Sequence, residues 1–533
     1  MKKLSAFLLL LAVSGQAQAQ SSTNWVITQP TWTDRHEQQF GEFVASIGDA
    51  VEKRKCGRVD TCFKSVANPY YKSDPSGLNY FADCADLPFY LRSYFAWKNG
   101  LPFSVASGVA PSPANTNNKR DIRYNAQGNV VTQRFDVTGN NKVSALKMLN
   151  EVIPNYTFSA TYRMLGNKDS DTLFTDFYPV SIDRKSVRPG TVIYDPNGHV
   201  AIVYKVSDDG RVFYIDAHPD NSLTMGMFTP KFVRSNPNQG AGFKNFRPLS
   251  LVNGRIVGTP NRNLPSYSLV QYYGTNPDPA GAWSKGKFVI GTQTTSNFYE
   301  YLRMKLTVGE MHINPLVDMA QLTDDICVSL QDRVVAVEAA RTSGLINRAH
   351  PSRLPYNIYG TDGDWENYST PSRDARLKAS FVDLLDTTKS AIERYNRRDP
   401  AIKYSGGNLA LDLYNVYAER AKACQFSYKT TNGQTVLMNL EAARQRLFNM
   451  SFDPYHCIEL RWGARLPQEL ALCKDDSNKR AWYEAEKWLR FQVERRYDAK
   501  MDYSLSELTG PKPGAGVAAP PDIDIVGYLK SLQ

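Results

Sequence analysis

The sequence predicts an α+β protein in two parts, and three observations carry that reading. Between residues 188 and 257, short apolar runs alternate with Gly-, Asn- and Asp-rich turns, the pattern of a small antiparallel sheet. Upstream, Phe89, Leu91, Tyr94, Phe95 and Trp97 recur at helical spacing, a helix available to pack on that sheet. Beyond residue 261 the apolar period becomes 3.6, so the C-terminal part is expected to be mainly α-helical. A chain of 533 residues exceeds what one hydrophobic core supports, and its 30 Tyr and 24 Phe exclude wholesale disorder.

The chain opens with Met1-Lys2-Lys3, an apolar run over 4–13, and Ala17-Gln18-Ala19, the layout of a secretory signal peptide over 1–19. That run is about half the roughly 20 residues needed to span a bilayer, and no other segment is long and apolar enough, so the mature chain is expected to lack an integral membrane segment. The expected location is periplasmic or secreted. Without Lys2 and Lys3 the formal charge of +10 becomes +8, spread along the chain. Such a surface suits anionic polymers such as cell wall or lipid headgroups, while the lack of a basic run with interleaved aromatics argues against nucleic acid.

A domain at 20–260 is predicted next, beginning with a helix over 37–51 and a Pro-, Ser- and Tyr-rich loop over 68–77. Cys84 lies at or just before the start of the aromatic helix, with Asp83 or Asp86 as candidate caps, and Asn99-Gly100 ends it. Residues 104–186 read as an insertion: a long polar surface loop over 111–141, then a helix over 142–152. Strands are expected over 191–194, 199–206 and 212–215, separated by Asp195-Pro196-Asn197-Gly198 and Asp208-Asp209-Gly210, with further strands over 243–251 and 255–257.

The helical domain is expected over 261–509. Its stripes are Ile326, Leu330, Val334 and Val337; Leu377, Phe381, Leu384 and Tyr395; Leu409, Leu413 and Val416; and Trp482, Ala485, Leu489 and Val493. Asp362, Asp364 and Glu366 lack the spacing of a full calcium loop and read as a solvated turn. The Pro-, Gly- and Ala-rich end, 510–533, is expected to be a flexible tail.

Seven cysteines are an odd number in a chain expected to reach an oxidising compartment. Parsimony pairs Cys56 with Cys62, Cys457 with Cys473, and Cys327 with Cys424, which leaves Cys84 unpaired. No C-x-x-C spacing occurs, so a cysteine metal site is not expected.

A thiol acts as a nucleophile through its thiolate, which a helix N-terminus and a neighbouring imidazolium both favour. His199 opens an apolar strand, with Asn197-Gly198 leaving space beside its ring. A turn centred on residues 208–210 puts residues whose numbers sum to about 417 opposite each other, so Asp216 and His218 share a face near the imidazole. Either could orient the ring, Asp216 being preferred. Taken singly, such a Cys is most often a small buried hydrophobe and such a His structural; in combination they point to a cysteine hydrolase.

The stretch DCADLPFYLRSYFAWKNGLPF resembles the nucleophile helix of the NlpC family of bacterial cell-wall cysteine hydrolases. RPGTVIY followed by GHVAIVYKVSDDGRVFYIDAHPD resembles the Pro-Gly strand and His strand that this family shares with the CHAP family. The resemblance covers residues 65–104 and 186–250. It implies a papain-like domain with Cys84 as nucleophile, His199 as general base then acid, and Asp216 as orienting residue, while His218 takes the place of a CHAP Asn near the substrate. It further implies that the Cys84 N–H joins an oxyanion hole, that Tyr71 (less so Tyr70) lines the substrate cleft, and that Asp83 helps bind a substrate amine. The usual Gly pair after that Tyr is missing and Ala85 replaces a common Ser. The implied reaction is amide hydrolysis in peptidoglycan or other envelope peptides through an acyl-enzyme, with no metal or organic cofactor. The rival expectation is a noncatalytic envelope-binding or scaffold protein with a degenerate domain of this type.

Overall fold

The computed structural model describes residues 22–115, 121–166, 173–281, 283, 286–360, 363–495, 499–510 and 516–533. The leader expected over 1–19 and Asp362 lie outside them. The mixed α+β architecture is as expected.

Helix α1 (Asp34–Glu52) starts where Thr33 accepts from the His36 N–H, and its apolar face buries Phe40, Phe43, Val44 and Ile47. At Gly48 it crosses the sheet so closely that a Cβ would stand 2.2 Å from the Tyr204 ring. Helix α2 (Asp86–Lys98) is buried on every side rather than along one stripe. Its two basic residues survive there because they are paired. Arg92 forms a two-pronged bond to Glu37 at 2.5 and 2.9 Å and stacks on Trp32, and Lys98 lies 2.6 Å from Asp74.

Part of the expected surface loop over 111–141 is instead strand: residues 129–137 return along 103–111 as a ribbon. Strand β1 (Phe103–Pro111) pairs antiparallel with β2 (Asn129–Val137). Val131, Phe135 and Val137 alternate with polar residues along β2 and give it a face to bury, and Arg134 at its centre pairs with buried Asp176. A local Asn and Gly bias obscured that alternation. The following helical stretch runs over 145–156.

The sheet has six strands: β3 (Phe177–Pro179), β4 (Val192–Asp195), β5 (His199–Val206), β6 (Val212–Ala217), β7 (Leu223–Met227) and β8 (Gly242–Phe246). Their order is β3-β8-β4-β5-β6-β7, every pair antiparallel. Ile202 faces Ile215 and Val203 faces Tyr214, in the expected register, before a bulge shifts the ladder at Lys205 and Phe213. One face, with Val200, Ile202 and Ile215, packs on α1 and α2. The other, with Ile193, Ala201, Val203 and Val212, is covered by Phe288, Phe298, Tyr301, Leu302 and Leu306. The first unit therefore reaches past residue 300 rather than ending at 260, because that second apolar face needs a cover.

In the C-terminal part, α3 (Pro315–Thr342), α4 (Pro371–Asn396) and α5 (Leu409–Ala423) share a core built from Ile326, Leu330, Leu377, Phe381, Leu384, Leu409 and Leu413, together with a hairpin of Gln425–Lys429 and Thr435–Asn439. Of the expected tail, 511–515 lie outside the described residues, and the stretch that follows is not free. Helix Ile525–Lys530, capped by Asp524, buries Ile525 and Leu529 in that core, an i,i+4 pair too apolar to stay in water. Disulfides join Cys56–Cys62, Cys327–Cys424 and Cys457–Cys473, leaving Cys84 free. The two parts meet where α3 docks on β7, with Asp325 accepting from the Met227 N–H at 2.9 Å and lying 2.7 Å from buried Lys231. Among the described residues, no helix is long and apolar enough to cross a membrane.

Candidate active site

Asp83 accepts the backbone N–H groups of Ala85 and Asp86 at 2.8 and 2.9 Å, so it is the cap of α2, and Cys84 sits in the turn just before the helix. Cys84 opens onto a cavity of about 260 Å³. Asp83, His199 and His218 line it too, as do Arg373 and Arg376 of α4. A larger cavity of about 540 Å³, bordered by Lys231, Tyr299 and Asp383, lies elsewhere along the seam and contains none of the expected catalytic groups.

His199 is held by the turn before it. Gly198 adopts a φ of 85°, the Asn197 N–H donates to the Asp195 carboxylate at 2.9 Å, and Asp195 is in turn gripped by Arg495 at 2.6 Å. Arg163, fully buried, donates to the Pro196 carbonyl at 2.7 Å. The imidazole lies beside Phe232, and its Nε2 stands 2.8 Å from Asp216 Oδ2. Nδ1 has no hydrogen-bond partner among the described residues and is the nitrogen left for a thiol proton.

Behind Asp216 runs a polar chain with one consistent set of protons. Thr224, directly opposite Asp216 on β7, donates its hydroxyl to Asp216 Oδ1 at 2.5 Å. That hydroxyl accepts from His218 Nε2 at 3.0 Å, and His218 Nδ1 accepts from Arg373 at 3.1 Å. A guanidinium only donates, so His218 is neutral with its proton on Nε2. Asp216 thus orients His199, and His218 supports the array from behind while its ring edge reaches the cavity.

Burial and then the Asp83 charge push the Cys84 thiol up, against the help of the Val200 N–H and Arg376. This reverses the expectation of a thiolate stabilised by the helix N-terminus. The free N–H groups there are already taken by Asp83, whose negative charge lies beside the sulfur. Burial and the Arg376 charge hold His199 below its ordinary value despite Asp216. Burial works against the Asp216 carboxylate, but the hydrogen bonds it accepts from His199 and Thr224 bring it well below the usual range. His218 is pushed down to about 4, chiefly by burial and against the pull of Asp216, with the Arg373 charge adding to the fall. Asp86, beside Asp83 and accepting from the Thr157 hydroxyl, is pushed up to about 7 by burial and its neighbour's charge. Thiol and imidazole therefore both rest neutral on the lining of one cavity, and a neutral imidazole is a base able to take a proton.

Tyr71 does not line the cavity. Its neighbour Tyr70 is packed among Phe43, Tyr94 and Phe95 and accepts from Asn99, at the far end of α2. Thirteen residues of helix put that end about 20 Å from Cys84. Asp364 and Glu366 belong to helix Gly363–Tyr368 rather than a turn. Thr224, Arg373 and Arg376 were missed. Thr224 was reachable by strand parity from Asp216; nothing local ties the two arginines to the cleft.

No known family model, curated protein or solved structure matches the chain.

Proposed function

We propose that the protein is a periplasmic or secreted cysteine hydrolase of papain-like type that cleaves an amide bond in peptidoglycan peptides. The observation that carries this reading is the meeting of Cys84 and His199 in one cavity, with Asp216 behind the imidazole and Nδ1 unpartnered. His199 takes the thiol proton at Nδ1 while Sγ bonds to the amide carbon. The Cys84 backbone N–H, which has no described acceptor, suits the developing oxyanion. The C–N bond then breaks as Nδ1 returns its proton to the leaving amine, and water, activated by the same ring, hydrolyses the thioester.

The cleft also fits an anionic substrate. Arg376 has no hydrogen-bond or ion-pair partner among the described residues and lines the thiol's cavity with Arg373, a setting for the carboxylates of a stem peptide. Three disulfides support an oxidising compartment. Asp83 is spent on capping α2, which weakens its expected role as an amine ligand.

The raised thiol favours a second reading, a noncatalytic envelope-binding protein that uses the same cleft. Incubating the mature protein and its Cys84→Ala variant with isolated cell wall, then identifying soluble fragments by mass spectrometry, separates the two. Peptide fragments from the wild type alone support the hydrolase; none, or equal amounts from both, rejects it.

A further inference from the structure

The helical part holds a second group of ionisable side chains, remote from the proposed reaction. His350 follows the turn Leu345–Asn347, Asp453 and His456 lie on one loop, and Glu486 ends helix Ser477–Ala485. His350 is 7% exposed and the other three are 0%. His350 Nε2 lies 2.6 Å from Asp453 Oδ2; His456 Nε2 lies 3.5 Å from that same oxygen and 3.6 Å from Glu486 Oε2. The donor atoms of His350, Asp453 and Glu486 all fall within 4.8 Å of one another.

The outer nitrogens fix the tautomers. His350 Nδ1 is 2.6 Å from the Pro351 carbonyl, and His456 Nδ1 is 2.9 Å from Asp475. Both partners only accept, so each ring carries a proton on Nδ1, which leaves Nε2 free to present a lone pair inward. Those lone pairs would then face two carboxylates. Among the described residues, His456 Nε2 and both Glu486 oxygens have no hydrogen-bond partner despite complete burial.

A proton on His456 Nε2 would face oxygens at 3.5 and 3.6 Å, too far for sound hydrogen bonds. A zinc-class ion with four donors at about 2.0–2.1 Å holds those donors about 3.3 Å apart, close to these two separations. Its charge also balances the two carboxylates.

We propose that His350, Asp453, His456 and Glu486 bind one zinc-class divalent cation that cross-links the helical part. Two imidazoles with two carboxylates select such an ion over magnesium or calcium, and the four-donor, fully enclosed arrangement makes the site structural. The surroundings are built to hold the donors. Asp475 also accepts from the Cys457 N–H at 2.9 Å, the Cys457–Cys473 disulfide ties the two segments together, and Trp482 stacks on His350 at 4.2 Å. On binding, the His350–Asp453 pair opens to make room.

The test uses the full mature chain carrying Cys84→Ala, so that the cleft thiol cannot hold metal and the hydrolase reading is not at stake. After production in zinc-supplemented medium and dialysis, elemental analysis should find about one zinc per chain. Chelator-stripped protein should take up zinc with a rise in Tm, and cobalt should give the visible absorption of a tetrahedral ion. His456→Gln should abolish uptake; if that variant does not fold, uptake by the stripped parent decides. Metal-free protein that neither binds added zinc nor changes Tm would overturn the site in favour of a protonated imidazole–carboxylate network.

Discussion

Asp83 Oδ1 lies 2.9 Å from the backbone nitrogen of Asp86, and this one contact places a carboxylate where a thiolate beside it would look for positive charge. Replacing the charge while keeping the cap should free the sulfur. In Asp83→Asn the amide oxygen can still accept both N–H groups, so the fold should persist. The midpoint of the iodoacetamide rate profile for Cys84 should move to lower pH. An unchanged midpoint would show that Asp83 does not govern the thiol.

Asp216→Asn tests the orienting carboxylate. An amide can turn its NH₂ toward His199 Nε2 and favour the wrong tautomer, so fragment release should fall by roughly 10²–10⁴-fold with the circular dichroism spectrum unchanged. A loss under tenfold would assign Asp216 a packing role only.

Arg376→Gln should raise KM for anionic peptides more than it lowers kcat, because its charged nitrogens have no hydrogen-bond or ion-pair partner among the described residues. The same change removes a cation that depresses His199. Activity needs neutral His199, so the acid limb of the pH–rate profile should move to higher pH. Equal loss on neutral and anionic substrates would contradict this.

His218 contributes a stability trend with a definite sign. Its value in the fold, about 4, lies below the ordinary 6.5, so between those limits the unfolded chain binds more protons. Stability should therefore fall as pH drops through that window. Measured as Tm at pH 7, 5.5 and 4, the slope should be shallower in His218→Gln.

The Cys327–Cys424 bridge closes a loop of 97 residues between α3 and the end of α5. Replacing both cysteines with serine should cost about 4 kcal/mol in urea unfolding of the helical part. A shift below about 1 kcal/mol would mean that the reduced chain is already confined there.

The strand opening at His199 was legible to the residue, because a Gly turn and an unbroken apolar run leave one place to start. Asp216 followed from period-two geometry. Cys84 was marked by elimination once three short-range or helix-joining pairs were assigned. What escaped was whatever depends on distant chain. Arg373 and Arg376 share a helix face but carry no local sign of the cleft they enter. His350, Asp453, His456 and Glu486 show no compact ligand motif, and folding alone gathers them. The misplacement of Tyr71 has a plain cause: Tyr70 is an aromatic core residue and draws its neighbour to the wrong end of α2.

The cleft draws its free thiol from one part of the chain and its two arginines from the other. On the proposed reading, substitutions in α4 would alter which molecules are retained while leaving Cys84, His199 and Asp216 in place. Selectivity and reactivity would then be encoded in separate parts of the chain, and exchanging the helical half would retarget the cleft.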